Sequence, residues 1–353
     1  MDYLIQKVKG WAKRANGRHF LELVKFLEIE LLGKYASTYC YHHPSNVLIE
    51  LTTRCNLRCQ WCNQSDPEWQ KQFGHIDFQF EKFDNLVSQL KGSKVLLLYN
   101  IGEPLLFKNI YSAIKTARKY IPEIRITTNA MLLDESSATK LAESGLTRLN
   151  VSIDSPDAAL MERIRTGASM KKIEDNIRTF GEVCDVPIEI WSVIGDVNID
   201  SLSQLPDWAI QFPAIKSLYF QLQNGVEAGD DIGMPPISSR EKFEALQKAV
   251  GQRCRELGLS TNIESLPYYL DGFHDREAEG ICKAPFNQLV AINVNGQLAP
   301  CCSYATVDLG NVADKGFKEV WNGKAARAWR KDMLNQKYCS YCSEWCGYRQ
   351  RVN

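Results

Sequence analysis

From residue 46 onward, short apolar runs alternate with longer stretches in which apolar residues recur every three or four positions. The runs at 46–51, 94–99, 123–128, 148–153, 186–193 and 217–222 have strand length, and the stretches at 78–90, 110–120, 135–144 and 171–184 carry the spacing of amphipathic helices. A strand followed by a helix, again and again, returns the chain to the same end of the sheet and so dictates parallel pairing. Six such strands predict an α/β fold, a parallel sheet curled into a partial (β/α)6 barrel. Barrels of this kind collect their reactive groups in the loops at the C-terminal ends of the strands. The unusual residues of this chain fall there: 52–62, 100–104, 128–129 and 152–154.

Residues 1–45 read as one or two helices, with Leu4, Val8 and Trp11 on one face and an apolar three-and-four spacing through 20–32. They are expected to form a helical extension packed on the main domain, the alternative being a basic amphipathic face for a membrane or a partner. A Gly- and Pro-containing loop at 224–239 marks a boundary, and a helix at 240–257 leads into a cysteine-rich remainder. Three regions result: the extension at 1–45, the barrel at 46–235, and a linker helix with a small C-terminal domain at 236–353.

Composition narrows the possibilities. With 353 residues, 44% of them hydrophobic, the chain can bury a sizeable core. Its 42 basic and 42 acidic residues cancel, so no overall field favours nucleic acid or an anionic membrane. No apolar run is long enough to span a bilayer. Lys7, Lys9, Lys13, Arg14 and Arg18 are scattered without an apolar block behind them, unlike a secretory signal. The expected location is the cytoplasm.

The 12 cysteines change the picture most. Cys55, Cys59 and Cys62 form one group, and Cys282, Cys301, Cys302, Cys339, Cys342 and Cys346 a second; in a reducing compartment such grouping indicates metal or iron–sulfur ligation rather than a disulfide framework. Cys40, Cys184 and Cys254 stand alone and read as small buried hydrophobes. In Cys55-Asn-Leu-Arg-Cys59-Gln-Trp-Cys62 three thiols share one loop directly after the first strand. Three thiolates are one short of a closed four-ligand site, which leaves a coordination position open for a chelating small molecule. Zinc with a distant fourth ligand is the competing assignment.

This spacing, with an aromatic before the last cysteine, resembles the signature of the radical S-adenosylmethionine (SAM) superfamily. Asn100-Ile101-Gly102-Glu103-Pro104 resembles that family's Gly-Gly-Glu motif, whose backbone meets the SAM amino group, with Ile101 in place of the first glycine. Thr127-Thr128-Asn129 and Ser152-Ile153-Asp154 stand where the family places SAM-facing polar residues, and Arg165 resembles the arginine that meets the SAM carboxylate. The resemblance implies a [4Fe-4S] cluster on Cys55, Cys59 and Cys62, with Trp61 shielding it and SAM on the free iron. One electron, from an external donor of flavodoxin or ferredoxin type, then cleaves SAM to a 5′-deoxyadenosyl radical that abstracts hydrogen from the substrate.

In the second group Cys282 precedes an apolar run at 288–294, an Asn295-Gly296 turn and the pair Cys301-Cys302; the turn predicts a hairpin that brings Cys282 and Cys301 to one end of a small sheet. Cys339-Ser-Tyr-Cys342 adds a knuckle, with Cys346 beyond it. Thiolates alone do not separate zinc from iron–sulfur. The region resembles the SPASM or "twitch" extension of radical SAM enzymes, including the Val320-Trp321-Asn322 helix. That resemblance implies one auxiliary [4Fe-4S] cluster on Cys282, Cys301, Cys339 and Cys342, acting as an electron relay. Cys302 and Cys346 are alternative ligands, and with Cys184 and Cys254 they are candidate hydrogen donors.

The first expectation is dehydrogenation or epimerisation of a small molecule such as a sugar, cyclitol or aminoglycoside-like compound, because residues 1–45 are too short and too helical for a winged-helix leader-binding domain. The alternative is a maturase that crosslinks, epimerises or oxidises residues of a ribosomal peptide or protein; an iron–sulfur electron-transfer protein without SAM chemistry is a third. Trp191, Gln221 and Gln223, near strand ends, are candidates to face the substrate.

Overall fold

In residues 123–128 every second side chain is buried, the pattern of a strand with one face on a core and the other on a partly open space. That strand belongs to a computed structural model that describes residues 17–222, 237–266, 282, 285–286, 289–301 and 308–338. The candidate ligands Cys302, Cys339, Cys342 and Cys346 lie outside these residues, as do Gln223 and the face formed by Leu4, Val8 and Trp11.

In chain order the strands are β1 (Asn46–Ile49), β2 (Arg58–Cys59), β3 (Val95–Leu98), β4 (Glu123–Thr128), β5 (Arg148–Ser152), β6 (Arg165–Thr166), β7 (Ile188–Ile194), β8 (Ile215–Leu222), β9 (Ser260–Thr261), β10 (Leu289–Ile292) and β11 (Leu298–Ala299). Nine of them make one sheet in the order β11-β10-β1-β3-β4-β5-β7-β8-β9. Its pairings are parallel except β10 with β11. The six expected strands stand side by side at its centre as β1, β3, β4, β5, β7 and β8.

The sheet is curled. Tyr99, just past β3, packs edge-on against Trp191 of β7, ring centroids 5.4 Å apart, although β4 and β5 lie between those strands. That contact crosses the lumen of a partial barrel. Outside the sheet, Val47, Leu96, Ile124, Leu149 and Ile190 are buried under helices that supply Phe83, Ile114, Leu141, Ile177 and Phe180. Toward the lumen the faces are mixed: Leu48, Leu97 and Leu289 form a small apolar cluster of their own, and Arg125, Thr127, Asn150, Glu189 and Ser217 follow.

Helix ends follow local chemistry. Glu135–Ser144 begins where the Asp134 carboxylate accepts from Ser137 N and stops at Gly145, φ +87°. Arg240–Leu257 is capped by Ser239 and stopped by Gly258, φ +71°. In the N-terminal extension Gly17–Leu32 is helical, and the chain behind it docks on the C-terminal region: Cys40 exchanges both backbone hydrogen bonds with the Asn322 amide, at 2.9 Å each. Cys40, Cys184 and Cys254 are buried in the core. The apolar run after Cys282 does not make a sheet of its own: β10 pairs in parallel with β1, Asn46 opposite Leu289. Among the described residues no helix is long and apolar enough to cross a membrane.

Candidate metal-cluster and SAM site

The cysteine loop is built on hydrogen bonds laid down before it begins. Past β1 the Thr53 N–H donates to the Ile76 carbonyl at 2.9 Å, and the Thr52 hydroxyl donates to Asp77 Oδ1 at 2.6 Å, a carboxylate also paired with Arg54. On the other side the Glu103 N–H donates to the Arg54 carbonyl at 2.8 Å. Gly102 makes this approach possible: a Cβ there would stand 2.1 Å from the Thr52 carbonyl oxygen. The loop after β3 therefore lies directly on the backbone that delivers Cys55.

Farther along, β2 and β6 form a two-stranded antiparallel ribbon with Cys59 opposite Arg165. The Arg165 guanidinium reaches from Asp154, at 2.7 Å, to within 4.0 Å of Cys59 Sγ. Cys55, Cys59 and Cys62 are all free thiols and ring one side of a cavity of about 200 Å³ at the C-terminal rim of the strands. Trp61, Gly102, Glu103, Asn129, Ser152 and Arg165 also line it.

Asp154 and Pro104 do not line the cavity. Asp154, in the Ser-x-Asp placement expected to face SAM, is fully buried behind Arg165. Its Oδ1 accepts from Val193 N at 2.8 Å, and its backbone carbonyl accepts from Asn198 Nδ2 at 2.6 Å. It holds Arg165 in place. Pro104 starts a short 3-10 turn, which Glu103 caps by accepting from Leu105 N. The Glu103 carboxylate is also buried and accepts from Thr128 Oγ1 at 2.7 Å and Asn129 N at 2.8 Å, which ties the β3 and β4 rims together. Burial raises its pKa above the ordinary carboxylate value, against the pull of these donors.

Several participants were not singled out from sequence. Asn56 accepts from Asn129 Nδ2 at 2.9 Å; its place beside Cys55 was the one available signal. Leu57, Gln64 and Tyr99 line the cavity, and Asn198 acts through Asp154. Trp191 stands against Tyr99, its indole N–H donating to Glu189 Oε1 at 2.8 Å.

The donor set suits a metal cluster. Cys55, Cys59 and Cys62 supply three thiols to one cavity. Burial pushes the Cys55 thiol up to about 12 and the Cys59 thiol up to about 11, although Arg165 pulls the latter down. Such a place holds thiolates only beside a strong positive charge, which an iron centre brings. In the second group Cys282 and Cys301 are both half-buried, Cys282 packing against the main core.

Three thiols lining one cavity with the Glu103 loop, at the rim of a partial parallel barrel, are a donor set of the kind a metal cluster takes. The sequence comparisons carry this to a family. Residues 49–209 match the radical SAM superfamily, and residues 282–346 match the SPASM iron–sulfur cluster-binding domain. The chain belongs to the radical SAM superfamily and carries a C-terminal SPASM domain; [4Fe-4S] clusters and SAM are its cofactors.

Among its relatives is a Pyrococcus furiosus protein described as a tungsten-containing aldehyde ferredoxin oxidoreductase cofactor-modifying protein, 22% identical over 328 residues, covering 84% of this chain and 86% of the relative. The PqqA peptide cyclase of Rhodopseudomonas palustris is 22% identical over 325 residues, covering 89% and 83%. A probable GTP 3′,8-cyclase of Archaeoglobus fulgidus is 33% identical over 171 residues, 48% of this chain and 55% of the relative. Among solved structures, SuiB of Streptococcus suis bound to S-adenosylmethionine superposes with a TM-score of 0.67 at 17% identity, covering 99% of this chain and 82% of that one. Native anSMEcpe with bound AdoMet gives a TM-score of 0.61 at 18% identity, covering 86% of this chain and 89% of that one. At these identities the structures establish the fold.

Proposed function

We propose that this chain is a maturase that modifies residues of a ribosomally made peptide or protein by hydrogen abstraction. The observation that carries this reading is the alignment with the PqqA peptide cyclase, which covers 89% of this chain and thus spans both matched domains. The probable GTP 3′,8-cyclase aligns over 48% of the chain, so it speaks for less of the molecule. SuiB, which shares the fold, has been crystallised with its precursor peptide SuiA. Together these reverse the order of the expectations drawn from sequence, in which a small-molecule substrate stood first. The near full-length match to the Pyrococcus furiosus cofactor-modifying protein keeps a small-molecule substrate as the second reading.

In this proposal Cys55, Cys59 and Cys62 ligate the SAM cluster and Trp61 covers it. The backbone of Gly102 and Glu103 receives the SAM amino group, Arg165 its carboxylate, and Asn129 and Ser152 complete the polar wall. Bound there, cluster and SAM supply a 5′-deoxyadenosyl radical, given an electron from a flavodoxin- or ferredoxin-type donor in the cytoplasm. Asp154 acts at one remove, by fixing Arg165. Cys282 and Cys301, with Cys339 and Cys342, would hold an auxiliary cluster, which would supply an acceptor for the second electron of an oxidation. Cys302 and Cys346 remain the candidate hydrogen donors for an epimerisation.

The test is anaerobic incubation of reconstituted enzyme, SAM and reductant with each short peptide encoded beside its gene, followed by mass spectrometry in deuterated buffer. Loss of a hydrogen pair, or deuterium at one Cα, supports maturation. Unchanged peptides, with SAM turnover stimulated only by a small-molecule extract, would overturn it.

A further inference from the structure

The helix Lys324–Leu334 precedes Cys339 in the chain and carries Arg330, 1% exposed and the largest fully buried side chain among the described residues. Its guanidinium lies 3.9 Å from the centroid of the Trp321 ring. Nε donates to the Pro285 carbonyl at 2.8 Å, and one terminal nitrogen donates to the Thr38 carbonyl at 3.2 Å and to Asn322 Oδ1 at 3.5 Å. These acceptors are all neutral. The other terminal nitrogen is buried and has no hydrogen-bond partner among the described residues. Among the described residues, the ionisable groups acting on Arg330 are the Cys40 thiol and a second cation, Arg327.

A buried cation without an anion is among the costliest features a fold can hold, because it gives up its hydration and receives no opposite charge in return. Where such a charge persists, an anion belongs beside it. The chain brings one to this region. Pro285 lies three residues beyond Cys282, so the two Cα atoms are at most about 11 Å apart at 3.8 Å per residue. The helix bearing Arg330 ends five residues before Cys339 in the sequence, and residues 282–346 match an iron–sulfur cluster-binding domain. A [4Fe-4S] cluster held by thiolates is a net anion, and reduction adds one more negative charge.

We propose that Arg330 is the buried counter-charge of the auxiliary cluster, a positioning residue with two effects. It clamps the Cys282 arm through the Pro285 carbonyl, and its positive charge favours the reduced, more anionic state of the cluster. The inference rests on the cluster of the C-terminal domain and not on the nature of the substrate.

The experiment is an EPR-monitored redox titration of the anaerobically reconstituted full chain and of its Arg330→Gln and Arg330→Lys variants. The auxiliary signal is identified from a Cys55→Ala, Cys59→Ala, Cys62→Ala variant. The expected result is a lower midpoint potential in Arg330→Gln and a smaller shift, or none, in Arg330→Lys. A folded Arg330→Gln protein with full iron and the wild-type potential would overturn the proposal. If Arg330→Gln fails to retain the cluster, thermal melts of the iron-free and reconstituted forms decide. A counter-charge requires the variant to lose more stability in the reconstituted form than in the iron-free form; equal losses mean a packing role only and refute it. A triple variant that holds no iron would remove the auxiliary cluster itself, and the inference with it, while leaving the substrate reading to its own test.

Discussion

The contact at Gly102 allows a quantitative test of how the loop after β3 is held. An alanine Cβ there would meet the Thr52 carbonyl oxygen at 2.1 Å, the Thr52 carbonyl carbon at 2.8 Å and the Arg54 carbonyl oxygen at 2.9 Å. None of these is the movable end of a side chain. Restoring ordinary contact requires the two loops to separate by about 1 Å. The backbone strain of such overpacking costs about 1–3 kcal/mol. Separation also stretches the 2.8 Å bond from Glu103 N to the Arg54 carbonyl, worth about 1 kcal/mol. Gly102→Ala is therefore expected to destabilise the protein by about 2–4 kcal/mol in urea denaturation. SAM affinity, read by equilibrium dialysis on the reconstituted enzyme, is expected to fall at least about tenfold, since about 1.4 kcal/mol of lost complementarity suffices.

Gly258→Ala is the control. Gly258 has φ +71° with nothing within 4 Å of a built Cβ, so its cost is the left-handed backbone penalty alone, about 1 kcal/mol. It lies past the helix Arg240–Leu257, away from the cavity, and SAM affinity is expected to be unchanged. If Gly102→Ala costs no more than Gly258→Ala and binds SAM normally, the loops are not held by this contact and the reasoning fails.

Asp154→Asn removes the charge that pairs with Arg165 in a buried setting, with an expected loss of about 3 kcal/mol or somewhat more. Weaker SAM binding should accompany it, and a variant with normal stability and affinity would show that Arg165 is held by other means. Asp134 offers a pH test. Hydrogen bonds from the Ser137 backbone and side chain hold its carboxyl below the usual range, so its contribution is present above the unfolded pKa and lost as pH falls through the folded one. Asp134→Ala should cost about 1 kcal/mol at neutral pH, and the difference from wild type should close below about pH 4; a penalty independent of pH would contradict the capping role.

The barrel was legible because its signals are local. An apolar strand, a polar loop and an amphipathic helix repeat within each unit, and at Glu135–Ser144 and Arg240–Leu257 the caps Asp134 and Ser239 and the stops Gly145 and Gly258 stand in the sequence itself. The three-cysteine loop was legible for the same reason. The Ser152–Asp154 placement was only half readable. Ser152, on β5, faces the cavity, but Asp154 lies past the strand end, where the alternation of faces no longer applies, and turns to Arg165 and Val193. The run at 288–294 read as a separate hairpin because its partner is distant: β10 pairs with β1 across more than two hundred residues, and nothing local states such a pairing.

That distant pairing bears on how two metal-binding regions can serve one reaction. In the proposed function the auxiliary cluster is an electron acceptor, useful only at a fixed distance from the place where hydrogen is removed. Here β10 continues the barrel sheet, and Cys301 stands two residues past the end of β11, so its position is tied to the same hydrogen-bonded frame that ends β1 before the cysteine loop. Glu50 reinforces the seam. Its buried carboxylate accepts from Val294 N at 3.2 Å on the hairpin side, and from Asn100 Nδ2 at 3.3 Å and Ile101 N at 3.4 Å on the side of the loop after β3. A carboxyl group at this depth is satisfied by accepting from both backbone segments, which it thereby joins. The loop carrying Gly102 and the hairpin leading to Cys301 are thereby fastened to a single side chain, within one residue of the end of β1.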